Sequence, residues 1–163
     1  MTKRAHLVHH GGLRFDATSG SGHGVVLDSA SGDAGAGPRE LLLVALGACG
    51  GMDVAAILTK KRQRVSRHEI EVVGEEREEQ PHVFTTITVT HEVDGPDLDP
   101  EAVRRAIELS ATRYCPVNAM LAAGPVTIHH RYVVRSATRE TIAEALVVGP
   151  YGSGLEPSTP SEG

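Results

Sequence analysis

Short apolar runs separated by glycines open the chain: Ala5 to Val8, the pair Gly11-Gly12, then Gly20 to Gly24 leading into Val25-Val26-Leu27. Apolar stretches of strand length between turn residues predict two or three antiparallel strands here. From Ser29 to Gly37 no apolar side chain is larger than alanine, so this segment is expected to be a loop. Pro38 suits a first helical position, where its missing N–H costs nothing, and Glu40 places negative charge in the positive first turn. With no proline to interrupt it and Lys60-Lys61-Arg62 at the negative end, the pattern predicts a long central helix from Pro38 to about Arg64. Leu41 to Leu46 is apolar on more than one side, which predicts deep burial, within one chain or between two. Gly47, Gly50 and Gly51 would each cost about 1 kcal/mol against alanine in a helix interior, so close packing or access to Cys49 is expected to require them.

Further on, His68 to Val73 and Val83 to Val93 read as two strands of a hairpin, the second alternating with period two through Phe84-Thr85-Thr86-Ile87-Thr88-Val89-Thr90. The charged run Glu75 to Glu79 between them is a solvated turn. Asp99-Pro100-Glu101 supplies a cap, a proline and an acid, predicting a helix through Val103, Ile107 and Ser110. Pro116 should break or restart it; a short helix, Val117 to Ala123, stops at Gly124-Pro125. Val126 to Val134 reads as a last core strand and Thr138 to Val148 as a terminal helix. The composition after Gly149 cannot bury a core, so the expected organisation is one domain over residues 1–148 and a flexible tail over 149–163.

Composition narrows the function classes. Of 163 residues, 40% are hydrophobic and 23% charged, the mix of a globular protein. Only 3% are aromatic, none is Trp, and the net charge is -5. Base-stacking platforms and a phosphate-binding face both lack material, so nucleic acid is not an expected partner. No uninterrupted apolar run approaches the roughly 20 residues of a membrane span, and no hydrophobic segment follows the basic N-terminal residues. A soluble, cytoplasmic protein is expected. Two cysteines in a reducing compartment are reactive thiols or buried apolar residues more often than a structural bridge.

Those cysteines occupy different electrostatic settings. Cys115 precedes Pro116 and is expected to N-cap a helix, where the dipole lowers a thiol pKa. Cys49 lies about three turns into its helix, with Asp53 four residues on and on the same face, opposing thiolate formation. A nucleophilic Cys49 would need a cation from elsewhere. Taken alone, the two cysteines fit a redox pair and apolar filling about equally.

Two blocks resemble the OsmC/Ohr family, osmotically induced protein C and organic hydroperoxide resistance. They are Gly37-Pro38-Arg39-Glu40-Leu41-Leu42 leading to Gly47-Ala48-Cys49, and Tyr114-Cys115-Pro116-Val117-Asn118. The string from Cys49 to Val54 and from Ile57 to Arg62, with Ser21 to Asp28, resembles the less characterised OsmC-like branch. The likeness covers roughly residues 5 to 135. It implies an α+β fold in which two antiparallel sheets wrap long central helices of an intertwined homodimer. It also implies that Cys49 is a peroxidatic thiolate acting on organic hydroperoxides, that Cys115 resolves its sulfenic acid as a disulfide, and that a thiol reductant such as a lipoyl group resets the pair. No metal or organic cofactor is implied.

Family members pair the peroxidatic cysteine with an arginine and a glutamate. The acid would directly follow the proline in the hydroperoxide-resistance pattern; here Arg39 stands there, and Glu40, one place later, is the candidate acid. Arg14, beside Gly11-Gly12, and Arg39 are the candidate cations. Independently, residues nine apart on a straight helix sit about half a turn apart and roughly 13 Å along the axis. Glu40 and Cys49 of one chain therefore meet only through a kink at the glycines; otherwise the acid serves the partner's cysteine. The adjacent pairs His9-His10 and His129-His130 point to opposite strand faces and cannot each hold one metal. Two other functions fit the same residues: a noncatalytic dimer binding a small lipid-like ligand, and a dithiol redox sensor without fast peroxide turnover.

Overall fold

A computed structural model of the chain describes residues 1–29, 31–145 and 147. They group into two compact units, Met1–Val44 and the chain from Ala45 onward. The expected tail over 149–163 lies outside the described residues.

In the first unit, β1 (Ala5–His9), β2 (Phe15–Ser19) and β3 (Gly24–Leu27) form an antiparallel sheet in chain order. Ala17 stands opposite both Leu7 and Val25. Gly11 and Gly12 turn β1 into β2 with φ of 95° and 58°, left-handed conformations that side chains disfavour. After β3, the Asp28 carboxylate accepts from the amides of Ser29 and Ala34, at 2.7 and 3.3 Å, folding the loop that leads to the long helix.

That helix, α1 (Pro38–Lys60), starts where proline and the acid predict. Glu40 accepts from the Gly37 amide at 2.6 Å, the reciprocal contact of a capping box, and so satisfies a donor that the helix start would leave orphaned. α1 ends a turn before the expected Arg64. Arg62 adopts φ 57°, the Gln63 amide reaches back to Leu58 O at 3.0 Å, and the Arg62 amide reaches Thr59 O at 2.9 Å. This is a Schellman closure, built here on an arginine where glycine usually serves.

In the second unit, β4 (Arg67–Glu76), β5 (Phe84–Asp94), β6 (Thr127–Arg135) and β7 (Glu140–Ala145) form one sheet in chain order. β4 and β5 are the expected antiparallel hairpin; β5 and β6 pair in parallel. Parallel neighbours need a crossover, and α2 (Pro100–Leu109), a π-turn (Ser110–Tyr114) and α3 (Pro116–Ala122) supply it. Asp99 caps α2 by accepting from the Glu101 amide at 3.0 Å, with Pro100 in the first turn. Val54 and Leu58 of α1 join Val93, Val103, Ile107 and Val134 in the core.

The terminal helix expected over 138–148 is instead strand β7 for its described part. Glu140 to Ala145 has helix-forming residues, but it also alternates, and the open edge of β6 offers a full ladder of backbone partners. Arg135 anchors the pairing through Glu140 at 2.7 Å.

Two of the three glycines of α1, Gly47 and Gly51, have a packing reason, and Gly50 does not. A Cβ on Gly47 would stand 2.9 Å from Val72 Cγ2, and one on Gly51 would overlap Ile70 Cδ1. Both glycines let the helix lie against β4. Burial of α1 within one chain is narrower than its composition predicts: Leu46, Gly47, Val54 and Leu58 are buried, whereas Leu42, Val44 and Met52 are 44%, 61% and 73% exposed. The helix also has the length and mean hydropathy, 2.2, of a membrane span, because small residues join its apolar stretches. Its buried side chains belong to a protein core.

Candidate functional site

Two elements of the second unit bring the cysteines together. Cys49 lies in α1; Cys115 lies between the π-turn and α3, with φ -76° and ψ 104°. Its amide reaches back to Ser110 O at 2.9 Å, and its extended backbone makes it the N-cap of α3. The Cys115 thiol donates to Cys49 Sγ at 2.7 Å. Both residues are free thiols, Cys49 half-buried and Cys115 buried.

Capping gives Cys115 an N–H donor on its sulfur, the Asn118 amide at 3.3 Å. That contact lowers a thiol pKa, yet the net effect runs the other way. Burial, and next the hydrogen bond to Cys49, push the Cys115 thiol up to about 12. The expectation of a lowered pKa at this N-cap is therefore corrected: desolvation of the charged form outweighs the amides of the first turn. At neutral pH Cys115 is a proton donor facing the sulfur of Cys49.

Asp53 is one turn beyond Cys49, and its Oδ2 accepts from the Ser110 hydroxyl at 2.9 Å. The carboxylate thus ties α1 to the π-turn that carries Cys115. A small cavity borders Cys115, which lines it with Leu46, Gly50, His91, Ser110, Asn118 and His130 among others. Its polar wall is unusual for a core. His68 Nε2 lies 3.0 Å from His91 Nδ1, and His130 Nε2 lies 3.0 Å from Asn118 Oδ1. Burial holds both inner histidines neutral, with His91 lowered to about 3 and His130 to about 4. Neighbouring His68 and His130 add to the effect at His91.

Of the residues singled out from the sequence, Cys49 and Cys115 meet. The other three belong to the unit Met1–Val44, where each is exposed. Arg14 pairs with Asp16 at 3.2 Å and Glu40 bonds the Gly37 amide. Arg39 is the second residue of α1. Ser110, Asn118, His91 and His130 were not singled out for this site. For His130 the strand alternation was visible, since β6 turns His129 outward and His130 inward. Its partner Asn118 was not. Among the described residues, no three His, Cys, Asp or Glu side chains are arranged to hold a metal.

A dithiol site set between α1 and a helical crossover, on an α+β frame with two sheets, defines the class: a two-cysteine thiol protein. Comparison with known proteins makes it specific. Residues 30–131 match the family model described as OsmC-like protein, and the chain belongs to that family. It is 44% identical over 126 residues to Protein YhfA of Escherichia coli K12, covering 77% of this chain and 93% of that protein. A solved structure described as a hypothetical protein from Aquifex aeolicus VF5 superposes with TM-score 0.76 at 29% identity, covering 83% of this chain and 98% of that one. The organic hydroperoxide resistance protein OhrB of Bacillus subtilis, at 20% identity and TM-score 0.53 over 83% of this chain and 98% of its own, shares the fold.

Proposed function

We propose that the protein is a thiol-dependent peroxidase that reduces organic hydroperoxides, with Cys49 as the peroxidatic and Cys115 as the resolving cysteine. The observation that carries this reading is the 2.7 Å separation of the two sulfurs. Membership of the OsmC-like family supports a peroxide-related redox role. The Cys49 thiolate attacks the O–O bond; the alcohol leaves with a proton and Cys49 becomes a sulfenic acid. Cys115 then attacks that sulfur, forming the disulfide and releasing water. A dithiol such as a lipoyl group returns both sulfurs to thiols by exchange.

The working form is a cytoplasmic homodimer in which residues 1–148 act as one domain. Exposed Leu42, Val44 and Met52 on α1 supply an apolar surface for a second chain. Arg14 or Arg39, held by Glu40 of the partner chain, supplies the cation that Cys49 needs. The test is steady consumption of cumene hydroperoxide with dihydrolipoamide as reductant. Turnover that disappears in Cys49→Ser and falls at least tenfold in Arg14→Ala or Arg39→Ala is the expected result; a wild type that consumes no hydroperoxide ends the reading. A second reading, a dithiol redox sensor without fast turnover, is favoured by the pKa of Cys115, which keeps the resolving sulfur protonated. It predicts a disulfide after one equivalent of oxidant and no sustained turnover.

A further inference from the structure

The wall of the cavity behind the cysteines contains a hydrogen-bonded chain that ends on a reacting sulfur. Asn118 Oδ1 is only an acceptor, and the Asn118 amide group donates through Nδ2 to Ala111 O at 3.1 Å. His130 Nε2, 3.0 Å from that Oδ1, must therefore carry the proton and donate. This fixes the tautomer of the neutral ring: Nε2–H with a lone pair on Nδ1. The backbone N–H of the same Asn118 donates to Cys115 Sγ at 3.3 Å. His130, Asn118 and Cys115 are thus linked in sequence, and all three are buried at 6% exposure or less.

The arrangement is costly in a way that packing does not repay. His130 Nδ1 is buried without a hydrogen-bond partner among the described residues. A leucine at this strand position would fill the core without an orphaned ring nitrogen, and an unsatisfied buried atom in a native structure calls for a reason. The same ring lines the cavity that Cys115 and Asn118 line.

We infer that His130, through its hydrogen bond to Asn118, is a positioning residue for the step in which Cys115 closes the disulfide with Cys49. This rests on the assignment of Cys115 as the resolving cysteine. In that step the Cys115 sulfur attacks the Cys49 sulfur, the S–S bond forms, and the bond from Cys49 to its leaving group breaks. The thiol proton departs with the leaving group, as water from a sulfenic acid or as a thiol from a mixed disulfide. Negative charge develops on the Cys115 sulfur on the way, where burial makes it expensive, and the Asn118 amide, with that of Val117 beside it, meets it. The first turn of α3 carries that amide, and the bonds of the Asn118 side chain to Ala111 O and His130 help to hold it in place.

The closure step can be read without any peroxide. The reduced full-length protein is mixed with 4,4′-dithiodipyridine; attack by Cys49 releases a first equivalent of thiopyridone, and closure by Cys115 releases a second. Wild type is expected to release both, and Cys115→Ser only the first. In His130→Leu the ratio of second-phase to first-phase rate should fall about tenfold, the scale of one lost buried hydrogen bond. His130→Gln, whose amide nitrogen takes the place of Nε2, should restore the ratio to within about threefold, and His130→Asn, too short to reach Asn118, should not. The Gln and Asn variants keep the test alive if the Leu variant does not fold. An unchanged ratio in Leu or Asn, a Gln variant as slow as Asn, or a wild type that releases one equivalent overturns the inference. Closure with this reagent but no hydroperoxide turnover would overturn the peroxidase alone; normal turnover with an unchanged ratio would overturn the role of His130 alone.

Discussion

The sulfurs of Cys115 and Cys49 lie 2.7 Å apart, with Cys115 as the donor, although 66 residues separate the two along the chain. A thiol at this distance is a nucleophile waiting for the oxidised form of Cys49. Hydroperoxide consumption should therefore be lost in Cys49→Ser. Cys115→Ser should complete one turnover and leave a sulfenic acid on Cys49 that dimedone traps, detected by mass spectrometry. Dimedone found on a Cys115 of the wild type would reverse the roles.

Acid should destabilise the fold from about pH 6.5 downward. His91 and His130 have folded-state values of about 3 and about 4, held down chiefly by burial, against about 6.5 in an unfolded chain. As pH falls below 6.5 the unfolded chain takes up protons that the folded chain refuses. The stability contributed by these neutral rings is fully present above 6.5 and is lost progressively from there down to about 4 for His130 and about 3 for His91, on the order of 1 kcal/mol per pH unit for each ring. Urea midpoints measured across this range should drop, and His130→Gln should flatten the slope. A midpoint constant from pH 7 to 4.5 would contradict the burial of neutral histidines.

Gly51 and Gly47 hold α1 against β4. Gly47→Ala meets the short, stiff Val72 side chain at 2.9 Å and should destabilise by about 1–3 kcal/mol, reversing the usual gain from alanine in a helix, whereas Gly51→Ala meets Ile70 Cδ1, the far end of a flexible side chain that can turn aside, and should cost less. Gly50→Ala has its nearest neighbour, Ser110 Oγ, at 3.9 Å and should be neutral or stabilising. Thermal unfolding of the three variants separates close packing from tolerance.

The exposed Leu42, Val44 and Met52 lie on a helix whose composition demands burial. Sedimentation at micromolar concentration should give twice the monomer mass, and Val44→Glu together with Met52→Glu should lower it. A folded species at monomer mass in wild type would remove the basis for a shared site.

Some of this architecture follows from short stretches of chain. Pro38 with Glu40 and Asp99 with Pro100 mark the starts of α1 and α2, because capping is a contact between residues two or three apart. The alternation in β5 marks its buried face for the same reason: side-chain direction along a strand is local. The N-cap position of Cys115 was legible too, but not its ionisation, since the amides of one turn compete with desolvation by the whole core. Asp53 was placed beside Cys49 correctly by helical spacing, whereas its partner Ser110 lies 57 residues away.

Local signals along the chain mark its elements, and two short blocks mark its family and its cysteines. The tertiary structure decided the rest. The edge of β6 turned Glu140–Ala145 into a strand, and β4 explained Gly47 and Gly51 of α1. The crossover from β5 to β6 brought Cys115, Asn118 and His130 to one wall. Those outcomes depend on which distant surfaces meet, and a free energy shared between residues far apart in the chain leaves no periodic trace in either segment alone.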